Sequence, residues 1–258
     1  MSKPRVNHLL VSSVLTGISD PRTYDRLSGF ITSNKDLVLQ LVSYTCVFLC
    51  ELIKIYPKLK KLVNNYLYRL NLVKTRVETP QELTQSQQVA AKRLNSIYGY
   101  IVDIRIADNI FGLIPYIAEL LRDYSSVKKL RSIDSWEKLD KFSTFFFFGN
   151  YTWLENLAFL LSHDFLPSDF DFFLLPAQKR DKSLTPSDWY YVYSCQLWCA
   201  WNVIEFLKQA KNHTYNFNLM CDVVLSYHWA LPTGFLSRPT FAVIGFLNAV
   251  VKFKKRLH

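Results

Sequence analysis

The chain has few of the residues on which nucleotide-binding and catalytic folds depend. Only 7 glycines occur in 258 residues, and none forms GxGxxG or GxxxxGK[ST], the loops that bring backbone close to phosphate. No GxSxG, HExxH or paired-carboxylate spacing nominates a catalyst, so neither an enzyme nor a cofactor is expected. The 5 cysteines are an odd number. Cys46 and Cys50, like Cys195 and Cys199, share a helical face and could in principle close a zinc site, yet no histidine stands at a familiar spacing. Reduced, buried thiols acting as small hydrophobes are expected instead, with no metal. His163 beside Asp164, and His228 within an apolar segment, likewise read as structural residues. Long apolar runs are missing too. The longest stretch free of Asp, Glu, Lys and Arg is Trp189–Ile204, 16 residues, where a spanning helix wants about 20. The run Leu9–Ile18 is broken by Ser12, Ser13 and Thr16, so no signal peptide is expected.

What is present is apolar, aromatic and basic. Half of the residues are apolar, 16% are aromatic and 20% are charged, which excludes disorder. The formal net charge is +10. Residues 1–131 carry a net +9 and residues 132–251 a net −3, before a tail with Lys252, Lys254, Lys255 and Arg256. A nucleic-acid module sets stacking aromatics among its basic residues. Here most Phe and Trp lie in the acidic or neutral stretch, which favours an anionic membrane over nucleic acid as partner.

Helical periodicity dominates, with no sustained β alternation, so an all-α fold is expected: a membrane-associated helical bundle. Its parts are a basic N-terminal region (1–131), a Phe-rich helix (132–163), a linker rich in proline (164–187) and C-terminal hydrophobic helices with the basic tail (188–258). Asp36–Ile55 reads as a helix that Pro57 ends, since proline removes an interior hydrogen bond. One or two transmembrane helices are expected among Trp189–Leu207, Phe142–His163 and Pro239–Val251. The first two require Glu205 or Glu155 to be accepted inside them.

The sharpest signal follows Pro57. From Lys58 to Arg76, Leu59, Leu62, Val63, Tyr66, Leu67, Leu70 and Val73 recur at steps of three and four, one face of a helix. Lys58, Lys60, Lys61, Arg69 and Lys74 join Asn64, Asn65 and Asn71 on the other faces. Seven basic residues and no acidic one lie between Glu51 and Glu78. A helix packed on a soluble core usually mixes charges on its wet side. An all-basic polar face fits an amphipathic helix lying among anionic headgroups.

The C-terminal sequence Asn218-Leu-Met-Cys-Asp222, then Tyr227-His228-Trp229, Leu231-Pro232, Gly234 and Ile244-Gly245-Phe246-Leu247, resembles the ending of the peroxisomal biogenesis factor 11 (peroxin 11) family. Arg26-Leu-Ser-Gly29, Asn34-Lys35-Asp36 and Leu41-Val-Ser-Tyr44 are similar to its opening, and Asp103-Ile-Arg105 with Phe111-Gly112-Leu113 to its central segment. Trp153-Leu-Glu155-Asn156 sits where the family has an aromatic, partly polar helix near the membrane. The gamma-like or fungal C branch is the nearest in character. The resemblance implies a peroxisomal membrane protein with both termini in the cytosol. It would elongate the membrane and promote peroxisome proliferation and fission, with self-association and contact to fission machinery. The family's alternative role, a pore for small metabolites, would use Glu155 and Glu205 as lining.

Overall fold

A computed structural model describes residues 28–79, 81–127, 136, 139, 142–170 and 183–257. The run Leu9–Ile18, the residues before Ser28 and the linker residues 171–182 lie outside the described residues. Among the described residues every regular element is helical. They are α1 (Lys35–Arg69), α2 (Gln85–Val127), α3 (Gly149–Ser162), α4 (Pro186–Lys211), α5 (Phe217–Trp229) and α6 (Arg238–Leu257). A turn of π-helix, Thr144–Phe148, leads into α3.

Local chemistry sets the starts. Thr84 and Gln87 form a reciprocal capping box, Thr84 N–H donating to Gln87 Oε1 (2.9 Å) and Gln87 N–H to Thr84 Oγ1 (3.3 Å). That pair begins α2 five residues before the apolar periodicity does. Thr185 Oγ1 accepts from Asp188 N–H at 3.1 Å, and Pro186 occupies the first helical position of α4, where no donor is needed. Asn216 caps α5 through Asn218 N–H at 3.1 Å.

Each helix packs on its neighbours in sequence, α1 on α2, α2 on α3, and so on to α5 on α6, and α6 returns to α1. The six therefore close a ring. One apolar cluster, at the α1–α5–α6 corner, joins Tyr44, Val47, Leu225, Phe241 and Ala242; a second joins Leu154, Leu157, Leu161 and Tyr190 between α3 and α4. Gly245 of α6 lies so close to the Tyr44 ring that a Cβ there would overlap it.

The all-α expectation holds, and three of its details are corrected. Pro57 does not end a helix: α1 runs through it to Arg69, with Pro57 buried. Burial of Pro57 and the packing of the first half of α1 on α2 and α6 outweigh the one lost hydrogen bond. The separate helix expected over Lys58–Arg76 is thus the outer half of α1, and it stops short. Asn71 takes the left-handed conformation (φ 57°) and Leu72 N–H reaches back to the Leu67 carbonyl, a Schellman-type closure. Val73 and Lys74 lie in the loop beyond.

The expected spans are corrected as well. Among the described residues α1 alone is long and apolar enough to cross a bilayer, by length and composition, and a third of its most apolar window is buried in the protein. The three segments named from sequence form α4, the π-turn with α3, and α6. The cationic tail is not a free flank either. Lys252 pairs with Asp222 (2.9 Å), Lys255 donates to Asn216 Oδ1 (3.0 Å) and Arg256 to Asn34 Oδ1 (2.7 Å).

Candidate membrane-binding surface and central cavity

The outer half of α1 is amphipathic in an inverted sense. Its polar side faces the protein's own return loop: Asn64 Nδ2 donates to the Thr75 carbonyl (3.0 Å), Asn65 Oδ1 accepts from Val77 N–H (3.2 Å) and Lys60 Nζ donates to Gln81 Oε1 (3.3 Å). Its apolar side faces outward. Leu62 is 67% exposed, Tyr66 61% and Leu59 52%, with Val63 and Leu70 also exposed. Lys58, Lys60 and Arg69 are exposed around them, while Lys61 and Leu67 are half-buried at the edges. Of the residues nominated from sequence, all but Val73 and Lys74 belong to one helix, with Leu70 as its C-cap; Leu59, Leu62, Val63 and Tyr66 form its outward side, while Lys60 is held on the loop side.

The surface is larger than the sequence reading made it. Val42, Leu49, Leu52 and Tyr56 extend the exposed row toward the start of α1, and Val243, Leu247 and Val250 form a second row on α6. Phe48 of α1 stacks on Phe246 of α6 beside these rows, ring centroids 4.6 Å apart and planes within 4°. The signal was present in sequence. Positions 42, 45, 49, 52, 56, 59, 63, 66 and 70 alternate steps of three and four straight through Pro57.

The ring encloses a cavity of about 500 Å³ to which all six helices contribute. At its rim Arg105 of α2 holds Asp36 of α1 through Nε (2.7 Å) and Nη2 (3.4 Å). Asp222 of α5, also in the lining, holds Lys252 of α6 and Asn248 Nδ2 (2.7 Å). Deeper in, Glu155 of α3 is buried and accepts from Tyr151 Oη (3.0 Å) and Asn109 Nδ2 (3.4 Å). Burial pushes its carboxyl up to about 7, against those two hydrogen bonds and the Arg105 charge, which pull it down. Burial likewise raises the phenols of Tyr151 and Tyr191 and the thiol of Cys195, so these stay neutral. Glu205, the other glutamate nominated from sequence, lines a second cavity of about 580 Å³. The two cavities share Trp201, Asn202, Asp222 and Lys252 as walls.

The sequence pattern of the C-terminal segment has a mechanical explanation. His228 Nδ1 accepts from both Phe235 N–H (3.0 Å) and Leu236 N–H (3.2 Å), which requires the neutral ring. Gly234 lets the chain cross that ring at φ 65°, where a Cβ would strike the imidazole. Asn218 donates to Asn248 Oδ1 (2.8 Å) and to its carbonyl (3.0 Å). These residues clamp α5 to α6. Among the described residues no three His, Cys, Asp or Glu side chains gather as a metal ion would need. Cys50 instead spends its thiol on the Ala91 carbonyl (3.3 Å).

Fold and surface together define the class: an all-helical ring with an apolar, basic-edged helix exposed on its outside. No known family, characterised protein or solved structure matches the chain.

Proposed function

We propose that the protein lies on an anionic membrane through the outer half of α1 and bends it. One observation carries this reading. The polar side of that half is tied to the protein's own loop, so Leu59, Leu62, Val63 and Tyr66 are left outside with cations at their edges. Inserted to the headgroup–acyl boundary, these side chains expand one leaflet and favour curvature. Lys58 and Arg69, exposed beside that face, each add roughly 1 kcal/mol near anionic lipid. The activity is mechanical, and no enzymatic step is assigned.

The resemblance of the C-terminal segment supports the peroxisome as the source of that membrane, with both termini on its cytosolic side. Elongation there precedes proliferation and fission, through self-association and contact with the fission machinery. A second reading, a pore for small metabolites, has one observation in its favour: Glu155 and Glu205 line adjoining cavities inside the ring. Conductance of the purified protein in planar bilayers separates the two.

Sedimentation with vesicles tests the surface. The full-length protein should pellet with and tubulate phosphatidylserine-containing vesicles, and should leave phosphatidylcholine vesicles untouched. Leu62→Glu with Tyr66→Glu should remain in the supernatant with unchanged helicity, because charges on this face must leave the lipid or be desolvated. Undiminished binding by that variant would overturn the assignment of the surface.

A further inference from the structure

The charges around the ring cavity do not balance. Arg105 is taken up by Asp36, and Lys252 by Asp222. Glu155 is left with neutral donors only, Tyr151 and Asn109, and makes no ion pair among the described residues. Around it, five of the six helices bring an aromatic ring to the lining: Tyr44, Tyr98, Tyr151, Trp198 and Trp229. The Trp201 indole N–H, in the wall shared with the second cavity, is buried and has no acceptor among the described residues.

We propose that this cavity binds a small organic monocation that also carries an oxygen acceptor, a hydroxyalkylammonium of the choline type. The carboxylate of Glu155 supplies the counter-charge, the surrounding rings supply cation–π faces, and the Trp201 N–H takes the ligand's oxygen.

Other ligand classes fit less well. An anion would meet Glu155 with both cations of the lining already paired. A neutral apolar molecule would strip water from the carboxylate and return nothing to it. A metal ion would find a single carboxylate and no clustered ligands. An organic cation is weakly hydrated and needs no such cluster. Burial in the empty cavity already raises Glu155 toward neutrality, so proton and ligand compete for the same oxygen atoms. Entry is open: Asp36 at the rim has a side chain 63% exposed. The volume of about 500 Å³ admits a metabolite larger than choline itself, which makes choline a minimal probe.

The test uses the full-length protein, tryptophan fluorescence and calorimetry, with sodium chloride matching ionic strength. Choline should bind saturably. Its uncharged isostere, 3,3-dimethylbutan-1-ol, should bind about tenfold more weakly or not at all, the scale of a lost charge-assisted contact. Glu155→Gln should weaken choline by a similar factor while leaving its response to the isostere unchanged. Should that variant fail to fold, Trp201→Phe provides an independent arm. It removes only the N–H, so choline should weaken while tetramethylammonium, which lacks the oxygen, should not. Equal affinity for choline and its isostere, or no saturable choline binding up to millimolar concentration, would overturn the proposal. Vesicle binding through α1 is read separately and stands or falls on its own.

Discussion

Within α1, the first half buries Tyr44, Val47 and Cys50 against the rest of the ring, whereas the second half leaves Leu59, Leu62 and Tyr66 in solvent. The backbone is continuous through Pro57 and the apolar spacing is the same on both sides. Only the neighbours differ. In the first half α2 and α6 cover Tyr44, Val47 and Cys50 while Val42, Leu49 and Leu52 stay exposed, and even the buried Glu51 is matched, by Lys54 (2.7 Å) and Arg238 (3.3 Å). In the second half, among the described residues, the loop after Leu72 covers the polar side and leaves the apolar side exposed. Apolar periodicity therefore marks a face that has a partner without saying which partner. The basic excess falls in the half whose apolar face is exposed among the described residues.

The strongest way to break the comparison is to place the same charge in each half. Val47→Asp sets a carboxylate at a fully buried position and should cost about 4 kcal/mol or more, enough to unfold the bundle. Leu62→Asp should stay within about 0.5 kcal/mol of the parent in urea unfolding, yet lose vesicle binding. Equal destabilisation by the two would mean that the outer half is packed in solution.

Glu155 sharpens the contrast from inside the ring. Its folded-state pKa of about 7 stands above the value of 4.5 it has when free, so the folded protein holds a proton that the unfolded chain has released between these limits. Stability should fall as pH rises through that window, with the whole penalty present above pH 7 and none below 4.5. Relative to Glu155→Gln, the parent should lose about 3 kcal/mol of unfolding free energy between pH 4.5 and 8. A constant difference between the two proteins would show that the carboxyl titrates as if exposed.

Gly234→Ala should cost less than Val47→Asp, about 2 kcal/mol, from a positive φ and from the Cβ that would displace His228. The loss should be local, in the α5–α6 clamp, and should leave vesicle binding by α1 intact. Acid should loosen the same clamp. Burial lowers the His228 pKa, so its contribution is present at neutral pH and is lost as pH falls and Nδ1, which accepts two backbone N–H groups, gains a proton. Hydrogen exchange of Phe235 and Leu236 amides against pH measures this directly.

Much was legible in the sequence where the physics is local. The starts and ends of α4, α5 and α6 follow from Thr185-Pro186, Asn216 and the Pro-containing turns, because capping is decided within four residues. The exposed apolar residues from Leu59 to Leu70 follow from their helical spacing. Asn71 was misread as one more polar-face residue, because an asparagine that continues a helix and one that ends it in the left-handed conformation look alike in a one-dimensional pattern. The fate of Pro57 was equally hidden: its cost is local and known, while the packing that offsets it is contributed by helices far away in sequence.

Composition and periodicity by themselves determined that the chain is helical, where most helices begin, and which stretch carries unmatched positive charge. Those properties rest on interactions a few residues long. Tertiary structure alone decided that the six described helices close into a ring, that Lys252, Lys255 and Arg256 of the tail are held by Asp222, Asn216 and Asn34, and that Glu155 ends up buried with no ion pair among the described residues. Each of these depends on residues tens to hundreds of positions apart meeting in space, and burial, which sets the energy of a charge, exists only once they have met.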